Sequence, residues 1–264
     1  NTSKLADGAA LTIGGIGALT TLGVDNNVGG QTNIFGQGGG TIHLSGASGN
    51  HVEVVSSTTI DTGSNSVIRS GGNTAVLRMN AITRGVNQGT IDFGADGIAD
   101  TDTANTNGIL GTATTGAFAT VNKRNWAFNA TGGSDGAING LASYSVNTFG
   151  TGLNTDITSA AINTGAATLS NTIRFNANQA TTLTLGAAFG VQGTAVGLQA
   201  GGILVTPDVG AFTTIIEGGP LQNAASTVNF ATIVHQHNTL GALQIDSVIQ
   251  NNTLAIAQGL TKTG

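Results

Sequence analysis

The chain has no cysteine and very little charge. Asp, Glu, Lys and Arg together make up 8% of its 264 residues, against about 25% in an average soluble domain. The missing cysteines exclude a disulfide framework and thiolate metal sites. Low charge lowers solubility, and Thr, Asn, Ser and Gln must cover the surface instead. We therefore expect a rigid, secreted protein rather than a soluble cytosolic globule.

Basic residues are scarce and scattered. The formal net charge is −5, and Lys123–Arg124 is the only pair of adjacent basic residues in the sequence. Proteins that bind nucleic acid neutralise phosphates with clustered Lys and Arg, so we expect no nucleic-acid partner. The uncharged stretch 175–207 is interrupted by six glycines and alternates polar with apolar residues. It therefore predicts no membrane span.

Strong helix formers are rare as well. Glu53 and Glu217 are the only glutamates, whereas there are 42 glycines, and Gly, Thr and Asn disfavour helices. The sequence contains instead short stretches that alternate polar with apolar residues and end at Gly, Asn or another turn residue, as half-buried strands do. Nine such stretches predict strands, at Ala10–Gly14, Gly40–Gly46, Ala75–Asn80, Gly89–Gly94, Thr172–Asn176, Thr181–Gly186, Ile203–Thr206, Phe212–Gly218 and Ala242–Asp246.

Three longer segments share one plan, with a strand, an Asn- or Gln-bearing corner and a second strand. They are Ala75–Gly94, Thr172–Gly186 and Ala242–Ala257. Such self-similarity predicts an all-β fold, a β-solenoid of the right-handed parallel β-helix type with about 20–25 residues per coil. Asn at the corners suits left-handed backbone angles.

This pattern divides the chain into three regions. Residues 1–94 and 146–264 are predicted to be solenoid coils, the second set continuing toward a further repeat. Residues 95–145 hold the only Trp, the only Tyr and the basic pair, and predict an insert or elaborated coil on the same solenoid. The predicted core is Leu11, Ile13, Ile42, Leu44, Leu77, Met79, Ile91, Phe93, Ile173, Phe175, Leu183, Leu185, Ile203, Val205, Leu243 and Ile245.

Seven stretches follow one another from Leu77 to the last residue. They are LRMNAITR (Leu77–Arg84), GTIDFG (Gly89–Gly94), NGILG (Asn107–Gly111), NKRNWAF (Asn122–Phe128), NTIRFNANQATTLTLG (Asn171–Gly186), GGILVTPDVGAFTTIIEGG (Gly201–Gly219) and LTKTG (Leu260–Gly264). In this order they resemble the autotransporter-associated β-strand repeat proteins, which are very large, low-charge surface proteins of planctomycetes and related bacteria. The resemblance implies a segment of a longer, secreted, β-helical passenger and offers no catalytic residues to carry over.

Four oxygen-bearing side chains, Asp96, Asp100, Asp102 and Asn105, lie in a glycine-containing stretch. Alternating acidic residues of this kind can ligate Ca²⁺, although the glycine and the final Glu of an EF-hand loop are missing. Calcium is thus the one cofactor that the sequence suggests, and a solvated turn is the alternative interpretation.

Two aromatic residues and two histidines are further candidates for binding. Trp126 and Tyr144 are able to stack on a glycan or contact a partner, or Trp126 packs over the end of a core. His235 and His237 would point to the same side of a strand and could share a metal ion with a third ligand. The alternative for the histidines is an exposed polar stripe.

No catalytic cluster stands out among the few charged residues. Polysaccharide-active β-helix enzymes need paired carboxylates, or a carboxylate with a basic residue, on one face. Arg78, Arg84, Asp92 and Arg174 lie on predicted strands or at their ends, where an ion pair at the surface is the simpler interpretation. We therefore predict that the protein is not an enzyme.

Taken together, these features predict a structural segment of a bacterial surface fibre or filament, located outside the cell or at its surface. The open ends of a solenoid are strand edges, and strand edges pair, so end-to-end or lateral self-association is expected. The alternative is an adhesin or glycan-binding module. A polysaccharide-active β-helix enzyme is a less favoured alternative.

Overall fold

Strands dominate the structure. The computed structural model describes residues 3–5, 10–13, 18–19, 22–24, 40–45, 50–55, 58–60, 63–72, 74–84, 89–111, 116–166, 169–186, 197–222, 232–250 and 259–264. Strands account for 55% of the residues and helix for 2%, so the prediction of an all-β fold is confirmed. Within the described ranges, no helix has the length and apolar character needed to cross a membrane.

The chain divides into two units. Unit 1 comprises Asn1–Thr112 and Phe118–Leu141, and unit 2 comprises Ala113–Ala117 and Ala142–Gly264. The strands of unit 1 are β1 (Ser3–Leu5), β2 (Ala10–Ile13), β3 (Ala18–Leu19), β4 (Leu22–Val24), β5 (Thr41–Ser45), β6 (His51–Val55), β7 (Thr58–Ile60), β8 (Ser64–Ser70), β9 (Ala75–Arg78), β10 (Ile82–Arg84), β11 (Thr90–Phe93), β12 (Ala99–Thr101), β13 (Asn105–Thr106), β14 (Ile109–Leu110), β15 (Ala119–Val121), β16 (Asn125–Asn129) and β17 (Gly136–Gly140). Those of unit 2 are β18 (Ser145–Val146), β19 (Asn154–Ile157), β20 (Ala161–Asn163), β21 (Leu169–Phe175), β22 (Thr181–Leu185), β23 (Gly197–Val205), β24 (Thr214–Gly218), β25 (Thr232–Gln236), β26 (Leu243–Ile245) and β27 (Leu260–Thr263), with a 3₁₀ turn at Pro207–Val209.

From β1 to β12, strands of unit 1 pair in parallel with the strand three places later in the chain. β1, β4, β7 and β10 form one four-stranded sheet. β2, β5, β8 and β11 form one arm of an eleven-stranded sheet, and β3, β6, β9 and β12 form its other arm. The register places Asp92 beside Ser66 and Arg78 beside Val54, so residues about one strand triplet apart in sequence become neighbours.

Antiparallel strands join the two arms of the eleven-stranded sheet. β15 extends the first arm in parallel, and then β16, β17 and β12 continue the sheet through antiparallel pairs. β13 and β14 form a separate hairpin. All of these strands lie in the region predicted as an insert. The insert or elaborated coil at 95–145 stays a prediction, and strands β12 and β15–β17 of this region belong to the same sheet as the strands before them.

From β19 to β27, each strand of unit 2 pairs in parallel with the strand two places later in the chain. β18 and β19 begin a six-stranded sheet that continues through β21, β23, β25 and β27. β20, β22, β24 and β26 form a second, four-stranded parallel sheet. A parallel bridge also joins Leu221 to Ile249. The register shifts once, between Ser170 and Thr172, and then places Ile173, Ile203 and Val234 side by side on successive strands.

The alternating apolar side chains form the core, as predicted. One group of the predicted core residues is buried, namely Ile42, Leu44, Leu77, Met79, Ile91, Phe93, Ile173, Phe175, Leu183, Leu185, Ile203 and Val205. Leu243 and Ile245 are partly buried against the core of unit 2. The side chains of Leu11 and Ile13 lie outside the described residues. Burial of one such side chain contributes about 1.5–3 kcal/mol.

Several strands bury both of their faces. Every residue of β11 and of β19 is buried. In β21, Ile173 and Phe175 face the core, while Arg174 between them points the other way and is buried as well. Alternation in sequence predicts one buried face, so the burial of the second face is a tertiary feature. This second face carries the polar groups described below.

Asparagine occupies left-handed backbone positions at turns, as predicted. Asn80, Asn107, Asn122 and Asn147 have φ values of 49°, 50°, 52° and 49°. Asn tolerates this region better than other non-glycine residues because its short side chain can hydrogen-bond locally. At Asn147, for example, Oδ1 accepts hydrogen bonds from the backbone N–H groups of Thr158 and Ser159.

Candidate functional site

An ion pair is buried on the second face of the six-stranded sheet in unit 2. The register of β19 and β21 places Asp156 beside Arg174. Nε of Arg174 donates to Oδ1 at 2.9 Å and Nη2 donates to Oδ2 at 2.8 Å, a bidentate arrangement that fixes both groups. The guanidinium carbon lies 3.6 Å from the centroid of the Tyr144 ring. The charge of Arg174 is thus compensated by a carboxylate and by an aromatic face.

Unit 1 contains the same kind of pair in a more open setting. Arg78 on β9 and Asp100 on β12 are neighbours in register, with Nε–Oδ1 and Nη2–Oδ2 distances of 3.1 Å. A second carboxylate, that of Asp135, lies 3.4 Å from Nε of Arg78. The hydrogen bond and the charge of Asp100 raise the pKa of Arg78 above its ordinary value. The side chain of Arg78 is 36% exposed, against 10% for Arg174.

Asp92 carries a buried carboxylate that does not pair with an arginine in the hydrogen bonds described. Its Oδ1 accepts hydrogen bonds from the Thr120 hydroxyl at 2.7 Å and from the Lys123 backbone N–H at 2.8 Å. Burial raises the pKa of Asp92, and these two hydrogen bonds partly offset the rise. The interpretation of Asp92 as part of a surface ion pair was therefore wrong, because the register places Ser66 and Thr120 beside it.

Arg84, like the buried Arg174, departs from the surface interpretation. Its Nε donates to the Gly89 carbonyl at 2.9 Å, across the short segment between β10 and β11. Burial lowers the pKa of Arg84 to about 10, because the charged form is less well solvated there than in water. Even so, Arg84 remains charged at neutral pH.

Asparagine side chains connect successive strands. Asn65 on β8 donates through Nδ2 to the Thr90 carbonyl at 3.0 Å and accepts through Oδ1 from the Gly40 N–H at 3.2 Å. It therefore ties three successive strand positions of unit 1 together. In unit 2, Oδ1 of Asn154 accepts from Nδ2 of Asn171 at 2.7 Å and from the Thr172 hydroxyl at 2.8 Å.

Asn129 is the most highly connected of the buried asparagines described. Its Nδ2 donates to the carbonyls of Thr101, Thr103 and Gly133, and its Oδ1 accepts from the N–H and hydroxyl of Thr131. The alternation of polar and apolar residues does not distinguish Asn129 from the other asparagines of the sequence. Its signal is local, an Asn at the end of an apolar strand followed by the turn sequence TGGSDG.

The four candidate calcium ligands each bind a different group of the protein. Asp96 accepts from the Gly140 N–H at 2.7 Å, Asp102 accepts from the Asp135 N–H at 2.9 Å, and Asp100 pairs with Arg78. Asn105 exchanges two hydrogen bonds with the backbone of Asn129, at 2.8 and 2.7 Å. Across the ranges that the structure describes, no group of three or more His, Asp or Glu side chains is placed to hold a metal ion. Calcium binding stays a prediction without an assembled ligand set.

The two candidate aromatic contacts lie in different units. Trp126 on β16 is completely buried, as in the alternative interpretation of a Trp packed into a core, so its ring presents no face to a glycan. Tyr144 is partly buried, and Arg174 covers one face of its ring. A glycan contact at Tyr144 stays a prediction.

The two histidines, His235 on β25 and His237 just after it, are not exposed. His235 and His237 are 1% and 8% exposed, and their ring centroids are 5.7 Å apart. Nε2 of His235 lies 2.9 Å from the carbonyl oxygen of Ala117. The backbone N–H of Ala117 in turn donates to the carbonyl oxygen of Ala200. The interpretation as an exposed polar stripe was wrong because this second face of the sheet is buried.

The ion pairs and side-chain hydrogen bonds described above hold separate parts of the chain together and stabilise the fold. Arg78 and Arg174 each pair with an aspartate on a neighbouring strand, and the amides of Asn65 and Asn129 are bonded through both of their polar atoms. Comparisons with protein-family models, with curated proteins and with solved structures return no match for this chain. Function must therefore be argued from the fold and from these contacts alone.

Proposed function

We propose that the chain is a non-catalytic structural segment of a secreted bacterial surface fibre, built from two β-solenoid units. The observation that carries the proposal is the recurring parallel pairing, three strands apart in unit 1 and two apart in unit 2. In a solenoid each turn stacks on the previous turn and satisfies its backbone groups. Length and stiffness, rather than a pocket, are then the useful properties of the molecule.

Hydrogen bonds between equivalent side chains support this proposal. The hydroxyls of the register partners Thr41 and Ser66 are 2.9 Å apart, and those of the register partners Thr59 and Thr83 are 3.2 Å apart. Repeated polar pairs between stacked strands add cohesion to the layers in the manner of the side-chain ladders of stacked β-structures. They also allow an uncharged polar surface, which accounts for a charged fraction of only 8%.

Self-association through the edge of unit 2 is part of the proposal. β26 and β27 are the edge strands of the two sheets of unit 2. Leu240, Val248 and Leu260, which lie in or beside these strands, are 74%, 68% and 55% exposed. Exposed apolar edge strands are templates for pairing with another chain. A location at the cell surface and membership of the repeat family named above complete the proposal.

Electron microscopy of the full-length protein over a range of concentrations tests this function. We expect elongated particles that join into longer filaments as the concentration rises. The variant Leu260→Lys should shorten the filaments, whereas Ile68→Lys on the central strand β8, where the side chain is 40% exposed, should leave them unchanged. Compact single particles at every concentration would contradict the proposal.

A further inference from the structure

The sequence contains two Asn–Gly pairs, Asn107–Gly108 and Asn139–Gly140. In such a pair the backbone nitrogen of the glycine can attack the side-chain carbonyl carbon of the asparagine. Glycine hinders this approach least because it has no Cβ. The two pairs have the same local chemistry, so a difference in their reactivity reports on the fold.

Asn107 and Gly108 form the two-residue turn between β13 and β14. Thr106 pairs with Ile109 across the turn, and both turn residues are exposed. Their φ values are 50° and 81°, which match the hairpin turn that favours Asn–Gly. The attack needs only these two exposed turn residues to change conformation, while Ile109 and Leu110 after them stay buried.

Asn139 and Gly140 lie at the end of a central strand. Asn139 on β17 pairs with Phe128 on β16, and Gly140 pairs with Ala127. The backbone nitrogen of Gly140 donates a hydrogen bond to Oδ1 of Asp96 at 2.7 Å. A group added at the Cα of Gly140 would meet Cβ of Asn125 at 2.9 Å. The nitrogen that would act as the nucleophile is therefore held by an acceptor, in crowded surroundings.

We propose that Asn107 is a site of spontaneous covalent modification, by cyclisation onto Gly108 followed by deamidation. The Gly108 nitrogen forms a bond to Cγ of Asn107, the Cγ–Nδ2 bond breaks, and ammonia leaves with the proton from the Gly108 nitrogen. Water then opens the cyclic imide at either carbonyl, which gives aspartate or isoaspartate at position 107. One water is consumed and one ammonia is released, and the reaction needs neither an oxidant nor an enzyme.

The modification changes both the charge and the geometry of the hairpin. Each event makes the chain one unit more negative than its formal net charge of −5, which is a large relative change on a weakly charged molecule. Isoaspartate also lengthens the main chain within a two-residue turn. Asn105 of this hairpin holds the backbone of Asn129 by two hydrogen bonds, so the change reaches the sheet of unit 1.

Peptide mapping by mass spectrometry tests the proposal on the full-length chain incubated at mildly alkaline pH. We expect position 107 to convert at least about tenfold faster than position 139, since each 1.4 kcal/mol needed to open a strand locally lowers the reactive population tenfold. The same incubation in urea should make the two rates equal. Asn107→Gln should abolish the fast conversion, and Asn139→Gln should leave it unchanged.

Equal rates at the two positions in the folded protein would overturn the proposal. A tenfold difference that persists in urea would overturn it as well, because the fold would then not be its cause. The proposed fibre function plays no part in this test, so the two proposals can fail separately.

Discussion

The two units use the same sequence pattern for ion pairs of very different burial. Leu77-Arg78-Met79-Asn80 in unit 1 and Ile173-Arg174-Phe175-Asn176 in unit 2 both place an arginine between two core residues. Each arginine meets an aspartate on the adjacent parallel strand. Arg174 is covered by Tyr144, whereas Arg78 stays partly exposed. The energetic role of the pair therefore depends on what covers the second face, not on the strand itself.

Replacement of the core residue that follows each arginine should cause the largest loss of folding stability. Phe175 and Met79 are 1% and 0% exposed. Phe175→Asp should destabilise unit 2, and Met79→Asp unit 1, each by more than about 4 kcal/mol, because an unpaired carboxylate enters an apolar core. Hydrogen exchange resolved by peptide should show lost protection in the strands of the mutated unit. Unchanged melting of either variant would contradict the core assignment.

Removal of the aspartate should destabilise the protein more at the buried ion pair of unit 2 than at the partly exposed pair of unit 1. Asp156→Ala leaves Arg174 buried without its carboxylate and should cost about 3–5 kcal/mol. Asp100→Ala leaves Arg78 partly exposed and within reach of Asp135, and should cost about 1 kcal/mol or less. Urea denaturation monitored by circular dichroism measures both. Equal losses would show that Tyr144 and burial do not distinguish the pairs.

Substitution of Gly136 tests the hydrogen-bond network around Asn129 in unit 1. A Cβ at Gly136 would overlap Oδ1 of Asn129, whose side chain is fixed by its hydrogen bonds. Gly136→Ala should therefore cost about 1–3 kcal/mol. Gly133→Ala is the matched control, since nothing lies within 4 Å of its Cβ, and it should change stability by less than about 0.5 kcal/mol. Similar effects of both substitutions on thermal melting would count against the network.

The smallest effect is expected at Asp92 and depends on pH. Burial raises the pKa of this carboxyl in the folded state, so the folded protein holds the proton more tightly than the unfolded chain does. The contribution of Asp92 to stability is then largest in acid and falls as the pH rises through its unfolded pKa, near 3.9, to its folded pKa. Asp92→Asn keeps an acceptor for Thr120 and Lys123 and should gain about 1 kcal/mol or less over the wild type between acidic and neutral pH. A difference in melting temperature that does not vary with pH would exclude this linkage.

Much of the strand content was predictable because alternation reports directly on one buried face. All nine alternating stretches overlap a strand, for example β9 within Ala75–Asn80 and β22 within Thr181–Gly186. Asn at corners was predictable for a similar reason, since its tolerance of positive φ is local. The pairing partners were harder to predict, because the parallel strand pairs described join residues 10 to 36 positions apart in sequence.

The candidate sites were harder to predict because they depend on the second face of the strands. Arg174, His235 and Asp92 occupy polar positions of the alternation, which predicts exposure, yet all three are buried. Their burial comes from tertiary packing against residues distant in sequence, such as Tyr144 for Arg174 and Ala117 for His235. Likewise, Asp96, Asp100 and Asp102 are close in sequence, but each carboxylate contacts a different partner.

A disulfide pair tests most directly whether strands stack in the parallel register on which the account depends. The chain has no native cysteine, and Thr184 and Glu217 lie side by side on β22 and β24, with a hydrogen bond of 3.3 Å between their side chains. The double variant Thr184→Cys/Glu217→Cys should oxidise readily to a disulfide within one chain, since neighbouring parallel strands bring the two Cα atoms within bonding range. Thr184→Cys/Ile215→Cys, displaced by two residues, should remain reduced under the same conditions. Preferential oxidation of the displaced pair, or of neither, would contradict the register.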